Sequence, residues 1–253
     1  MTHESALRRS IGTAETATAN RDWWDAEAED YYVEHGGFLG DDDLVWGPEG
    51  WSEELLGLLG PVAGRDVLEL GGGAAQGGRW VRTEGARVVS TDLSGGMLAR
   101  ARRIDRDHGW PAMTLAQCDG LALPFADGSF DLVFTAYGVV PFVADAAAVM
   151  REAARVLRPG GRLVFSCTHP LRWAFPDEPG PEGLTVRFSY FDRTPYVEQD
   201  ARGRATYAEH HRTVGDRVRD VVAAGLRILD LVEPEWPDGH EQEWGGWSPL
   251  RGR

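Results

Sequence analysis

The stretch DVLELGGGAAQG, running from Asp66 to Gly77, decides how the rest of this chain is read. Its first five residues, three of them apolar, give a short buried strand. Three glycines follow, and then a helix is predicted over Ala75–Glu84. A strand that turns into a helix through glycines needs backbone angles and close approach that a Cβ would obstruct. Such a turn is either a tight connection only or a backbone cradle for a ligand.

Reading outward, the same rhythm recurs. Arg87–Thr91 predicts a second strand, and Ser94 is placed to cap a helix over Met97–Arg103. Met113–Gln117 and Phe130–Ala136 predict two more strands. Val149, Met150, Ala153, Val156 and Leu157 form a helical stripe that Pro159-Gly160-Gly161 should stop, before a fifth strand over Arg162–Cys167. Strands alternating with helices imply parallel βαβ units, so the expected fold class is α/β, a doubly wound and mostly parallel Rossmann-like sheet with helices on both faces.

Two regions stand outside that rhythm. Residues 1–60 are expected to be a helical extension, or lid, on a main domain spanning 61–253. Residues 1–20 should be frayed, a helix is expected over Asp22–His35 and ended by Gly36 and Gly37, and a shorter one over Trp51–Leu59. Residues 168–211 form a long insertion after the fifth strand, rich in Pro, Gly and aromatic residues. Thr213 and Asp216 have capping-box spacing, opening a helix whose Val214, Val218, Val221 and Val222 should face the core. Leu226–Val232 predicts a sixth strand.

Composition removes several chemistries. The formal charge is −14, which disfavours a nucleic-acid partner. The chain contains no lysine, so a phosphate-loop lysine, a Schiff base and a Tyr/Lys dehydrogenase pair are impossible. Cys118 and Cys167 lack metal-ligand spacing and read as reduced thiols, and no metal is expected. No apolar run suggests a leader or a membrane span, so a cytoplasmic protein without a membrane partner is expected.

Candidate ligand groups lie at the ends of the predicted strands. Asp92 falls 21 residues after Gly71, where a carboxylate can accept both hydroxyls of a ribose or cap the next helix. Asp119, ending the third strand, is either a turn-former or an acceptor for an adenine amino group.

The chain resembles class I S-adenosylmethionine (SAM)-dependent methyltransferases, in particular the bacterial small-molecule group. VLELGGG (Val67–Gly73) resembles their first motif and STDLSGGML (Ser90–Leu98) their second. CDGLALPFADGSFDLVF (Cys118–Phe134) and REAARVLRPGGRLVFS (Arg151–Ser166) resemble the third-to-fourth and fifth strand segments. The likeness covers roughly residues 20–235, and four motifs in order are more specific than any one. It implies S-adenosyl-L-methionine as cofactor. Gly71 and Gly73 would meet its methionine part, with Glu69 bracing the loop. Asp92 would hold the ribose, Leu93 and Met97 would pack on adenine, and Asp119, Gly120 and Leu121 would face the adenine edge. Ala136 would line the space beside the sulfonium.

Two departures from the family pattern are visible. Ala75 stands where many relatives have a third glycine, and no strand follows Val232 where a seventh is expected. Either the chain is trimmed or one sheet edge is left unpaired. The implied function is methyl transfer to a small-molecule acceptor, on oxygen or nitrogen, by a monomer or homodimer. Tyr137, His169 and one of His210 and His211 are the candidates for proton transfer or acceptor contact. Trp173, Phe175, Phe188, Tyr190, Phe191, Tyr196 and Tyr207 of the insertion, with Trp24, Tyr31 and Tyr32, are expected either to lid the acceptor or to form a satellite core. A SAM-binding protein without turnover and a nicotinamide-dependent oxidoreductase are the competing readings. The second lacks its third glycine, since Gln76 occupies that place.

Overall fold

Val67, Leu68 and Leu70 lose essentially all contact with water, and burial of each side chain stabilises the fold by roughly 1.5–3 kcal/mol. They lie on the central strand of a computed structural model that describes residues 5–244 and 246–252. Its strands are β1 (Ser5–Arg8), β2 (Asp66–Leu70), β3 (Arg87–Asp92), β4 (Thr114–Gln117), β5 (Phe130–Thr135), β6 (Leu157–Phe165), β7 (Tyr196–Gln199) and β8 (Ala205–Glu209). Its helices are α1 (Thr13–Leu39), α2 (Glu53–Leu56), α3 (Gln76–Thr83), α4 (Gly95–His108), α5 (Ala146–Val156), α6 (Val214–Ala223) and α7 (Pro249–Gly252).

The main sheet is parallel, in the order β4-β3-β2-β5-β6, with Glu69 beside Ser90 and Leu68 beside Val133. The chain steps outward from β2 to β4 on one side and from β5 to β6 on the other. The order therefore reverses between β2 and β5, and a crevice opens at their carboxyl ends. This is the expected doubly wound α/β sheet. Ser94 caps α4, its Oγ accepting from Met97 N at 3.0 Å, and Thr213 and Asp216 form a complete capping box on α6.

Several expectations fail for identifiable reasons. Helix α1 starts nine residues early and runs through Gly36 and Gly37 to end at Gly40, because packing on β8 and α4 outweighs glycine's weak helix propensity. Residues 5–8 are not frayed but pair antiparallel with β7, whereas residues 1–4 lie outside the described residues. The β6 strand begins at Leu157, and Pro159-Gly160-Gly161 sits in an irregularity between the Phe130 and Leu132 pairings. Val221 is buried, but Val218 and Val222 are 38% and 59% exposed, so α6 shows the core a narrower face than its valines suggest. No strand forms over Leu226–Val232, where Leu229 and Leu231 are 65% and 67% exposed. Among the described residues the sheet has five strands, with β4 and β6 as its two edges.

A second sheet is small and antiparallel, in the order β1-β7-β8. It joins the amino-terminal segment to the insertion, so these two regions build one layer over the crevice. Asn20 of α1 clamps it. The Asn20 amide donates to Phe142 O at 2.8 Å and Ala208 O at 2.9 Å, and its oxygen accepts from Ala208 N at 2.8 Å. A buried amide satisfied at both ends fixes α1 against β8 and the loop after β5.

Candidate active site

The crevice begins at the glycine turn. Gly71 and Gly73 have φ of +61° and +54°, a region that side chains disfavour. A Cβ on Gly71 would lie 2.5 Å from Val139 Cγ2, and one on Gly73 would lie 2.9 Å from Met97 Cε. The turn is therefore walled by Val139 on one side and Met97 on the other. Glu69 braces it from beneath, accepting from Gly78 N at 3.0 Å and from the Ser90 hydroxyl. Burial raises the Glu69 carboxyl to about 7, against the pull of those two donors. Arg79, fully buried, bonds Asp105 at 2.7 Å and the carbonyls of Ala74 and Ala101, pinning the far end of the turn to α4.

Asp92 closes β3 with both oxygens engaged. One accepts from Gly73 N at 2.8 Å and the other from Ser94 N at 2.8 Å. Burial raises its carboxyl, and the amide donors oppose that rise. Asp25 of α1 reaches the same place, its Oδ1 accepting from Ser94 Oγ at 2.6 Å and Gly96 N at 2.8 Å. The amino-terminal helix thus docks at the rim of the crevice. Leu93 is half-buried, its carbonyl accepting from Gln117 Nε2, and Met97 is buried. Asp119 holds a turn through Leu121 N at 2.9 Å, Gly120 lies under Val139, and Leu121 packs in the core below.

The opposite wall is the loop after β5. Only three non-glycine residues among those described have positive φ, namely Ala75, Tyr137 and Val139 at +61°, +58° and +42°. All three border the crevice, and backbone strain of this kind collects at binding sites. Ala136 packs on the core, while Tyr137 N donates to Ser166 Oγ and its hydroxyl meets Thr168 Oγ1 at 3.2 Å. Burial holds the Tyr137 phenol neutral by raising its pKa well above the usual range.

Beyond Tyr137 lies an aromatic recess. Trp24 meets Tyr31 and Phe142 edge-on, Trp23 stands 5.0 Å from Tyr207, and Tyr196 stands 6.5 Å from Tyr207. The carboxy-terminal segment covers the mouth, with Trp244 stacked on His35 at 4.1 Å and 6.5 Å from Tyr137. Trp247 Nε1 donates to Glu49 at 2.6 Å and fastens that segment. Tyr137, Tyr196, Tyr207 and Glu209 all keep some accessible surface, yet burial is the first cause of each one's raised pKa.

The structure does not bring the three candidates for proton transfer together. His169 bonds Glu233 through Nε2 at 2.7 Å and accepts from Leu171 N through Nδ1. His210 Nε2 meets Thr16 Oγ1 at 3.1 Å, and burial lowers its pKa to about 4, leaving a neutral ring that anchors α1. Tyr137 alone borders the recess. Of the insertion's aromatics, Trp173, Tyr196 and Tyr207 turn inward, whereas Phe188 and Phe191 are exposed. Both cysteines are free thiols, and no metal-binding cluster exists among the described residues. None of the described helices is long and apolar enough to cross a membrane.

The sequence reading missed Glu209 and Arg172. A signal for the first was present, because Tyr196-Val197-Glu198 and Tyr207-Ala208-Glu209 repeat one alternation. On paired strands this puts two tyrosines and two glutamates on one face, with Val197 and Ala208 buried on the other. Each tyrosine hydroxyl donates to the glutamate two residues on, at 2.9 Å for Tyr196 and 2.8 Å for Tyr207.

Comparison with known proteins agrees with this architecture. The methyltransferase domain family matches residues 68–165. A demethylmenaquinone methyltransferase of Corynebacterium glutamicum is 39% identical over 200 residues, covering 79% of this chain and 77% of that protein. One from Beutenbergia cavernae is 38% identical over 124 residues, 49% of each chain, and the match spans about half the length of the first such relatives. Among solved structures, an S-adenosylmethionine-dependent methyltransferase from Mesorhizobium loti aligns with a TM-score of 0.62 at 32% identity, covering 76% of this chain and 88% of that one. With four sequence motifs, a doubly wound sheet and a glycine turn facing Asp92 at its switch point, the chain belongs to the class I SAM-dependent methyltransferases.

Proposed function

We propose that this chain transfers a methyl group from SAM to a small organic acceptor seated in the aromatic recess beyond Tyr137. The observation that carries the reading is proximity. The Tyr137–Val139 loop abuts the glycine turn at Gly71, and Tyr137 stands 6.5 Å from Trp244 of the aromatic cluster.

The chain's own residues suit the cofactor. The glycine turn leaves backbone exposed where a Cβ would collide with Met97 or Val139. Asp92 is poised as a ribose acceptor, and Met97 and Leu93 offer apolar surface beside it. When bound, SAM supplies a methyl group activated on a sulfonium. The protein's part is to align the acceptor, exclude water and provide a place for any proton released. Tyr137, held neutral, is suited to donate a hydrogen bond and not to take a proton. His169 and His210 are occupied by Glu233 and Thr16, so neither enters the reading as a base. The formal charge of −14 supports a small-molecule acceptor over nucleic acid.

Calorimetric titration with SAM tests the reading. Saturable binding is expected, weakened at least about tenfold in Asp92→Ala, which removes the ribose acceptor and both amide contacts. A chain that folds but does not bind SAM refutes it.

A further inference from the structure

Resting on the reading above, we infer that Glu209 receives the nitrogen of an amine acceptor, which enters the recess as an ammonium ion.

The walls come first. Trp23 and Phe142 flank Tyr207 at 5.0 and 6.0 Å, and Tyr196 stands 6.5 Å from it. Aromatic faces attract a desolvated cation through their quadrupoles. Into this space the β7–β8 pair presents a checkerboard, with Tyr196 opposite Glu209 and Tyr207 opposite Glu198.

Charge balance then chooses the guest. Near Glu209 stand Glu198 and Asp177, both raising its pKa, and one cation, Arg172, which lowers it. Arg172 Nη2 is bonded to Asp177 Oδ1 at 2.7 Å and also acts on Glu209, so one guanidinium is shared among three carboxylates. The Tyr207 hydroxyl, 2.8 Å from Glu209 Oε1, supplies a hydrogen bond but no charge. A desolvated carboxylate that shares its one counter-charge with two other acids is costly, and a cationic guest relieves that cost. A phenolic or carboxylate acceptor would add negative charge to the same space.

The proton of the ammonium also has somewhere to go. Burial raises its carboxyl above the ordinary range, bringing its affinity for a proton closer to that of an amine. The ammonium N–H bond breaks and its proton passes to a Glu209 carboxylate oxygen. The freed nitrogen lone pair forms the N–C bond to the methyl group as the C–S bond of the sulfonium donor breaks, leaving that electron pair on sulfur. Glu209 then releases the proton to water. Glu209 is thus both the anchor that selects an amine and the acceptor of its proton.

Binding to the full chain without cofactor tests this directly. At neutral pH, phenethylamine should bind at least about tenfold more tightly than 2-phenylethanol, which has the same ring and a neutral head. In Glu209→Gln the preference should fall at least about fivefold, the remainder reflecting the aromatic faces and the neighbouring acids, while 2-phenylethanol affinity stays the same. Equal binding of the two probes by the wild-type chain, no saturable amine binding, or a preference undiminished in Glu209→Gln would each overturn the inference. The wild-type comparison decides the matter even where the variant fails to fold. SAM titration of the same preparation separates the failures. SAM binding without amine preference sinks only this inference, and amine preference without SAM binding sinks the methyltransferase activity.

Discussion

Glu69→Gln is the most informative single change at the cofactor turn, because it converts a buried titration into a stability measurement. Glu69 is 3% exposed beneath the glycine turn, and its carboxyl is raised from 4.5 to about 7 by burial. The folded protein therefore holds a proton that the unfolded chain has released. That difference favours folding fully below about pH 4.5, and it is lost as pH rises through about 7. A shift of about 2.5 units corresponds to roughly 3 kcal/mol. Glutamine resembles the protonated acid. Its oxygen can accept from Gly78 N, and its amide can donate to Ser90 Oγ, so the turn keeps its brace. Urea unfolding of both proteins at pH 5 and pH 8 gives the comparison. The wild type should lose roughly 2.5 kcal/mol more than Glu69→Gln between the two, since pH 5 lies just inside the titration window. Contributions from the other carboxylates, common to both proteins, cancel in the difference. Parallel losses would show that Glu69 is ionised in the fold and refute the argument.

Two further outcomes follow from the same region. Asp105→Ala leaves the fully buried Arg79 guanidinium without its carboxylate and should cost about 3–5 kcal/mol in urea unfolding, whereas the double change Arg79→Met with Asp105→Leu should recover most of it. Gly71→Ala should lower both Tm and SAM affinity, because its Cβ meets Val139 as well as an unfavourable φ. Gly64→Ala, with a φ of +74° and nothing within 4 Å, should cost only the backbone penalty of about 1–2 kcal/mol and leave SAM affinity unchanged.

The parts of this protein that were legible in the sequence are those specified locally. The strand from Asp66, the glycines, Asp92, the Ser94 cap and the Thr213–Asp216 box each write their structure within a few residues. What was illegible depends on partners far along the chain. Leu226–Val232 carries a strand's composition, yet it has no neighbour in the sheet and remains exposed. Ser5–Arg8 has no strand signature, yet it pairs because β7 offers it an edge. His210 attracted attention as a titratable residue near the expected site, but its environment is the buried contact with Thr16, 194 positions away. Positive φ at Tyr137 and Val139 is imposed by the loop's approach to Gly71, which no local pattern encodes. Glu209 lay between these extremes, since its alternation was visible but its depth was not.

The pairing of Leu7 with Val197 spans 190 positions, and it sets an order of events during synthesis. The last strand of the parallel sheet ends at Phe165, but the recess has no floor until Glu209 has been made, 44 residues later. At translation speeds of about 5–20 residues per second, that interval is roughly two to nine seconds. For those seconds the nascent protein carries a nearly complete cofactor crevice without β7 and β8, and its amino-terminal segment waits for a strand that does not yet exist. Ligand present on the ribosome can therefore meet the sheet before the β1-β7-β8 layer forms, and the slowest contacts to form are those that join the amino-terminal segment to the insertion.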